Sequence, residues 1–358
     1  MPRPQPVYSR LESLPVEILQ LIFLYSLEIN LPRASLYLGR VLSNELVYSW
    51  LIRLVFSSAN PGSRDGFFTS DFLPPQLDFW ALSKEQRQLL QTTLLSCQWC
   101  TLSLMQKCQR EYIEHTIRRK TAGLIIRQED QDKLSNLGPY FEKSLIERYD
   151  RSEEGNNRGK GDLVISAQLA ESPSSRVFFK IAIWFQSGAV HIRTAQDFLS
   201  ISSFADHNDL FRLPCSPAHT PARIPDKLLR SPWSETQLDF LQLLSSGGFY
   251  LDEDEYSRDR SAEITTRLIR KHRVEPLHRL LGMYIRSANC RVPIRWPLQL
   301  SDYNLACRYG QGAGDPMVLL MLSERWYEMS FSTKQNLIRH VEMSEEDILP
   351  LIWSNGVV

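Results

Sequence analysis

From Leu11 to Phe56 the chain is apolar in a way that a lone surface helix is not. Between Ile18 and Leu27 the only polar side chains are Gln20 and Ser26, so a helix here lacks a broad wet face and has to be covered on more than one side. Ser13, Pro15 and Glu17 start it: a small polar residue able to cap, a proline tolerated in a first turn, and an acid near the positive end of the dipole. Leu31-Pro32-Arg33-Ala34 breaks the chain. Leu38, Val41, Leu42, Leu46, Val47, Trp50, Leu51 and Leu54 then recur at helical spacing. This predicts a compact helical module over residues 8–56 with more apolar surface than it can hide alone. The run is too short for a bilayer, which takes about 20 apolar residues.

Ser57 to Pro75 holds Asn60-Pro61-Gly62-Ser63 and Asp71-Phe72-Leu73-Pro74-Pro75 without a helical period, the pattern of a linker. Helical spacing resumes over 76–150, through Leu90, Leu94, Leu95, Trp99, Leu102, Met105, Tyr112, Ile113 and Ile117, with an interruption near Asn136-Leu137-Gly138-Pro139. This segment is expected to pack on the first module. Residues 151–162 are polar and glycine-rich, a flexible loop. Strand signatures follow at 163–169, 177–185 and 190–193, separated by turn residues, which predicts a small antiparallel meander within 162–204. Its second strand is apolar on both faces, so helices should cover the sheet. From Phe204 to Arg230 prolines space out a loop with little regular structure.

Residues 232–358 repeat. Glu235, Glu275 and Asp315 stand at equal intervals of 40 residues, each before an apolar helix, with Phe240 and Leu241, Leu280 and Leu281, and Leu320 and Met321 in equivalent places. Pro276 and Pro316 follow two of the acids, where a first-turn proline loses no hydrogen bond. Further helical patterns at 263–271 and 303–309 precede the second and third of these helices. Helix pairs at such a period predict a short solenoid whose units bury themselves against neighbours. The fold class is therefore mostly α with a small antiparallel β-sheet.

Composition narrows the partners. Over 358 residues, 41 Lys and Arg balance 41 Asp and Glu, so no phosphate-tracking surface is implied and nucleic acid is not an expected partner. No membrane partner is expected either. Residues 1–6 are proline-rich and lack the apolar core of a signal peptide. Six cysteines at irregular positions fit free thiols in a reducing compartment, cytoplasm or nucleus.

Candidate chemistry is sparse. Cys97-x-x-Cys100 with Cys108 and His115 has metal-ligand residue types, but its thiols lie among Leu94, Leu95, Trp99 and Leu102 in a helical pattern and read as buried small hydrophobes. Gly155–Gly161 is one residue short of a phosphate loop and lacks its hydroxyl. Asp252, Glu253, Asp254 and Glu263 fall near calcium-loop positions, but Ser257 replaces the turn glycine. His272 and His278 are too awkwardly spaced to share a helix face. Arg118-Arg119-Lys120 sits at a helix end, where cations offset the dipole. No catalytic residue, cofactor or metal site is assigned.

Two stretches resemble known families. Leu14-Pro15-x-Glu17-Ile18-x-x-x-Ile22-Phe23 resembles the opening of an F-box as found in fungal F-box-like proteins, the short helical module that docks a Skp-type adaptor and joins a cullin ubiquitin ligase. The family's later Val-Cys-x-x-Trp segment is absent, with Trp50 near the place of its tryptophan. The resemblance implies that Leu14, Pro15, Ile18, Ile22 and Phe23 face the adaptor. Asn304-Leu305-Ala306-Cys307-Arg308-Tyr309-Gly310 followed by residues 315–322 resembles the helix pair of an ankyrin repeat, in degenerate form because the period exceeds the usual 33 or so. Together they imply a non-catalytic substrate receptor of a Skp-cullin-F-box ligase, with an unknown client on the C-terminal repeats. The alternative is a stand-alone ankyrin-like scaffold unconnected with ubiquitin.

Overall fold

In the computed structural model, helix α1 (Val16–Ser26) begins directly after Pro15 and ends where Leu27 turns left-handed at φ 50°, its N–H returning to the carbonyl of Phe23. The structure describes residues 9–64, 66–142, 162–169, 179–186, 188–193, 210–216, 222–229, 233–249, 251–253, 260–287, 294–310, 315–341 and 350. A 3-10 turn at Leu31–Arg33 leads into α2 (Leu36–Leu42), whose first turn is capped by the Ser35 side chain, and α3 (Glu45–Phe56), capped by Asn44. α1 packs on α2. α3 is the dry member, buried at every position from Leu51 to Phe56. The chain divides into two compact units, Met1–Pro225 with Ser246–Gly248, and Asp226–Ser245 with Phe249–Val358.

In the first unit, α4 (Lys84–Ser96) opens on a capping box between Ser83 and Gln86, and α5 (Leu102–Lys120) opens on Thr101. Both pack on α3. The sheet is an antiparallel meander of five strands, β1 (Leu124–Ile126), β2 (Leu163–Leu169), β3 (Phe179–Gln186), β4 (Ala189–Arg193) and β5 (Phe211–Arg212), hydrogen-bonded in that order. Between β1 and β2 come α6 (Gln128–Ser135) and α7 (Gly138–Glu142), broken at Asn136 and Leu137 as the sequence suggests. Register aligns Leu163 with Ile183 and Ile192, Ile165 with Ile181, and Phe185 with Val190 and Phe211. All of these are buried, which defines one dry face. β4 and β5 lie on α5, and Tyr140 of α7 stacks on Phe185 at 5.2 Å. On the opposite face Ala182 is buried, but Val164, Ser166, Trp184 and His191 are half-buried and Lys180 is exposed, so that face is covered only in part.

Two expectations need correction. Residues 57–75 are no linker: Phe67, Phe72 and Leu73 are buried, Phe67 stacks on Phe211 at 5.4 Å and meets Tyr112 edge-on at 5.8 Å. Buried polar side chains tie this stretch to its neighbours. Ser58 shares a hydrogen bond with the Tyr112 hydroxyl at 3.0 Å, and Asn60 Nδ2 donates to the Leu210 carbonyl at 3.1 Å. Missing periodicity marked missing regular structure, which is different from missing burial. Within the loop from Phe204 to Arg230, residues 211–212 form β5, and the Cys215 N–H donates to the Phe56 carbonyl at 2.8 Å.

The second unit contains α8 (Glu235–Ser246), β6 (Leu251–Glu253), α9 (Arg260–Arg270), α10 (Val274–Leu281), β7 (Tyr284–Ser287), β8 (Ile294–Arg295), α11 (Leu300–Tyr309), α12 (Pro316–Arg325) and α13 (Phe331–Val341). α9 pairs with α10 and α11 with α12, while α9 lies against α11 and α10 against α12. The second pair thus stacks on the first, like on like. Glu235 and Glu275 are both in first turns and both bond Arg279 of α10, at 3.1 and 2.9 Å, with Asp239 as a third partner. Asp315 does another job, since it is buried and accepts from the Met317 N–H at 2.8 Å as the cap of α12. Strands β6 to β8 form a small sheet, parallel then antiparallel, that the repeat pattern does not announce. The fold is mostly α with a small antiparallel meander.

Candidate docking surface

α1 has two apolar sides. Leu19 and Phe23, one turn apart, point inward and are buried with Leu24. Ile18 is 41% exposed, Ile22 one turn on is half-buried, and Tyr25 at the next turn is 71% exposed. Pro15 is exposed, and Leu14 and Leu21 are half-buried. At 100° per residue Ile18, Leu21, Ile22 and Tyr25 lie within about a third of the helix circumference and form one continuous stripe, with Leu14 and Pro15 just before its first turn. Leu36, the first residue of α2, adds an apolar side chain that is 85% exposed.

Four of the five residues assigned to adaptor docking, Leu14, Pro15, Ile18 and Ile22, therefore reach this surface, and Phe23 does not. Phe23 is 2% exposed and occupies the core side of α1, where its ring is unavailable to any partner without unfolding the module. The resemblance carried it onto the docking face; the helical period, which pairs it with Leu19, puts it inside. Tyr25 and Leu36 were missed. Tyr25 was findable, because it lies seven residues after Ile18 and so returns to the same face.

A set of buried polar contacts ties α3, α4 and α5 to distant parts of the first unit. Arg53 of α3 donates to the Phe72 carbonyl at 2.8 Å, pairs with Glu111 of α5 and lies over the Phe72 ring at 4.8 Å. Gln91 of α4 is fully buried and donates to the carbonyls of Val55 at 2.9 Å and Cys215 at 2.8 Å. Arg87 donates to the Phe79 carbonyl at 3.1 Å and covers the ring of the same residue.

The candidate metal residues have structural occupations. Cys97, Cys100 and Cys108 are free and buried, and burial pushes the Cys108 thiol up to about 11, far from the thiolate a metal needs. His115 stacks on Phe72 at 4.2 Å, and its Nε2–H donates to the Phe67 carbonyl, a group that only accepts. Burial lowers its pKa below the usual histidine value. Among the described residues no three His, Cys, Asp or Glu side chains are grouped closely enough to hold a metal ion. Residues 155–161, and the loop containing Asp254, Tyr256 and Ser257, lie outside the described residues. Of the basic run, Arg118 pairs with Asp71 at 3.4 Å and Lys120 lies over the Phe211 ring at 5.3 Å. His272 stands 3.8 Å from Asp315, and His278 3.4 Å from Glu324. No helix among the described residues is long and apolar enough to cross a membrane.

No family model matches the chain, and no curated protein or solved structure matches it either.

Proposed function

We propose that the chain is the substrate-recognition subunit of a Skp-cullin-F-box ubiquitin ligase, docking a Skp-type adaptor through Leu14, Pro15, Ile18 and Ile22 and a client protein through the stacked helix pairs of its second unit. The observation that carries this reading is the apolar stripe on the outward side of α1, a helix whose inward side is already filled by Leu19 and Phe23. Apolar side chains left outside a satisfied core mark a surface made for a partner. Such a receptor does no chemistry of its own. It holds a client lysine beside ubiquitin activated by partner enzymes and turns a rare encounter into an effectively intramolecular step.

The test is a titration of purified Skp-type adaptor into the intact protein. Ile18→Asp is expected to abolish measurable binding and Tyr25→Ala to weaken it several-fold, with helical circular dichroism unchanged, because central apolar contacts at an interface contribute about 2 kcal/mol or more. Intact protein that fails to bind the adaptor would sink the ligase reading and leave a stand-alone scaffold.

A further inference from the structure

The second unit holds a hollow between the turn at Asp226–Leu229, the residues entering α8, the last turns of α9 and the start of α10. Its apolar floor is Leu229, Ile264, Leu268 and Pro276, and its volume is about 110 Å³. An enclosed apolar cavity of about 150 Å³ takes up benzene, so this hollow suits one aliphatic side chain and is too small for an indole. Its rim is cationic. Arg267, Lys271 and Arg273 all line it, and all three are exposed. Arg267 Nη2 donates to Glu263 at 2.8 Å, but Lys271 and Arg273 make no ion pair among the described residues. Glu275, the other acid nearby, is engaged by Arg279. The indole Nε1 of Trp233, another lining residue, is shielded from solvent and has no hydrogen-bond partner.

Cations at a helix end often do no more than offset the dipole. Here that need is small, because α9 ends at Arg270 and α10 begins at Val274, so the negative end of one helix adjoins the positive end of the next. The side-chain charges are left over. They stand on a chain with no net charge, around a hollow that also has an orphaned N–H donor. Among the described lining residues, the charged groups without an ion pair are cations, and the apolar ones face a space the size of a single side chain.

We infer that this hollow binds an acidic peptide segment of another protein, with one aliphatic side chain in the floor and flanking carboxylates on Lys271 and Arg273. This names a client class for the receptor reading above and rests on that reading for its biological meaning, whereas the binding itself needs no adaptor.

The probe is a fluorescein-labelled pool of nonapeptides with a central leucine flanked by aspartate and glutamate, titrated against the full chain by fluorescence anisotropy. Saturable micromolar binding is expected. Lys271→Glu combined with Arg273→Glu should weaken it at least tenfold, and these exposed positions leave folding intact. Replacing the central leucine by serine should cost about tenfold. Absence of saturable binding overturns the inference. So does binding indifferent to the leucine, which would mean general attraction of acid to base, and binding unchanged by the charge reversals. Peptide binding without adaptor binding refutes only the ligase reading; adaptor binding without peptide binding refutes only this one.

Discussion

Two sets of polar ties, one in each unit, join helices at opposite exposure. In the first unit the ties are buried and join residues far apart in sequence: Arg53 to Phe72 and Glu111, Gln91 to Val55 and Cys215. In the second, the Arg279 cluster lies at the surface, with Glu235, Asp239 and Glu275 around it at side-chain exposures of 48 to 71%. A buried polar group that loses its partner bears its whole desolvation cost, while an exposed one returns to water. Breaking a tie of the first set should therefore cost far more than breaking one of the second, whose ion pairs should be lost one at a time with little effect.

The largest expected effect that tests this contrast is Arg53→Ala. It strips the Phe72 carbonyl and Glu111 of their partner, and urea unfolding should show a loss of about 3 kcal/mol, at the low end for a broken buried pair because Glu111 is partly exposed. Gln91→Ala should follow at about 2 kcal/mol, since two buried carbonyls lose their donor. Arg279→Ala should cost less than about 1 kcal/mol, and that cost should shrink in molar salt. A loss at Arg279 equal to that at Arg53 would erase the distinction between the buried and the exposed ties.

The finest test is pH. Burial depresses the pKa of His115, whereas donating a hydrogen bond to the Glu324 carboxylate raises that of His278. An unfolded histidine titrates near 6.5 or so. Unfolding therefore takes up a proton at His115, and the first unit loses stability as pH falls from about 6.5 through the depressed folded value. The contribution of His278 is fully present below about 6.5 and fades as pH rises through the raised folded value. Hydrogen exchange read separately on α5 and on α10 should show these opposite trends between acid and neutral pH, and parallel trends would contradict the assignment.

Most of the helices were legible in the sequence because each spans enough residues for a period to show. The strands divided by length. β2 to β4 alternate or run apolar for five residues or more, while β1 and β5 have three and two and exist only by pairing with them. The spacing of Glu235 and Glu275 was legible and has a physical cause, their common partner Arg279; Asp315 kept the interval and changed its role. On α1 the outward stripe could be read from the period, and the one misplaced residue, Phe23, was assigned by resemblance against that period. The hollow around Trp233 could not be read at all. Its walls come from four places in the chain, and nothing local to any of them says that they meet.

Both outer strands of the large sheet are very short, Leu124–Ile126 on one side and Phe211–Arg212 on the other. A foreign strand adding to either margin would find at most one or two free backbone groups to zip onto. The margins of this sheet thus offer little template for strand-on-strand growth, while the apolar display of α1 sits on a helix, whose backbone is already paired within itself.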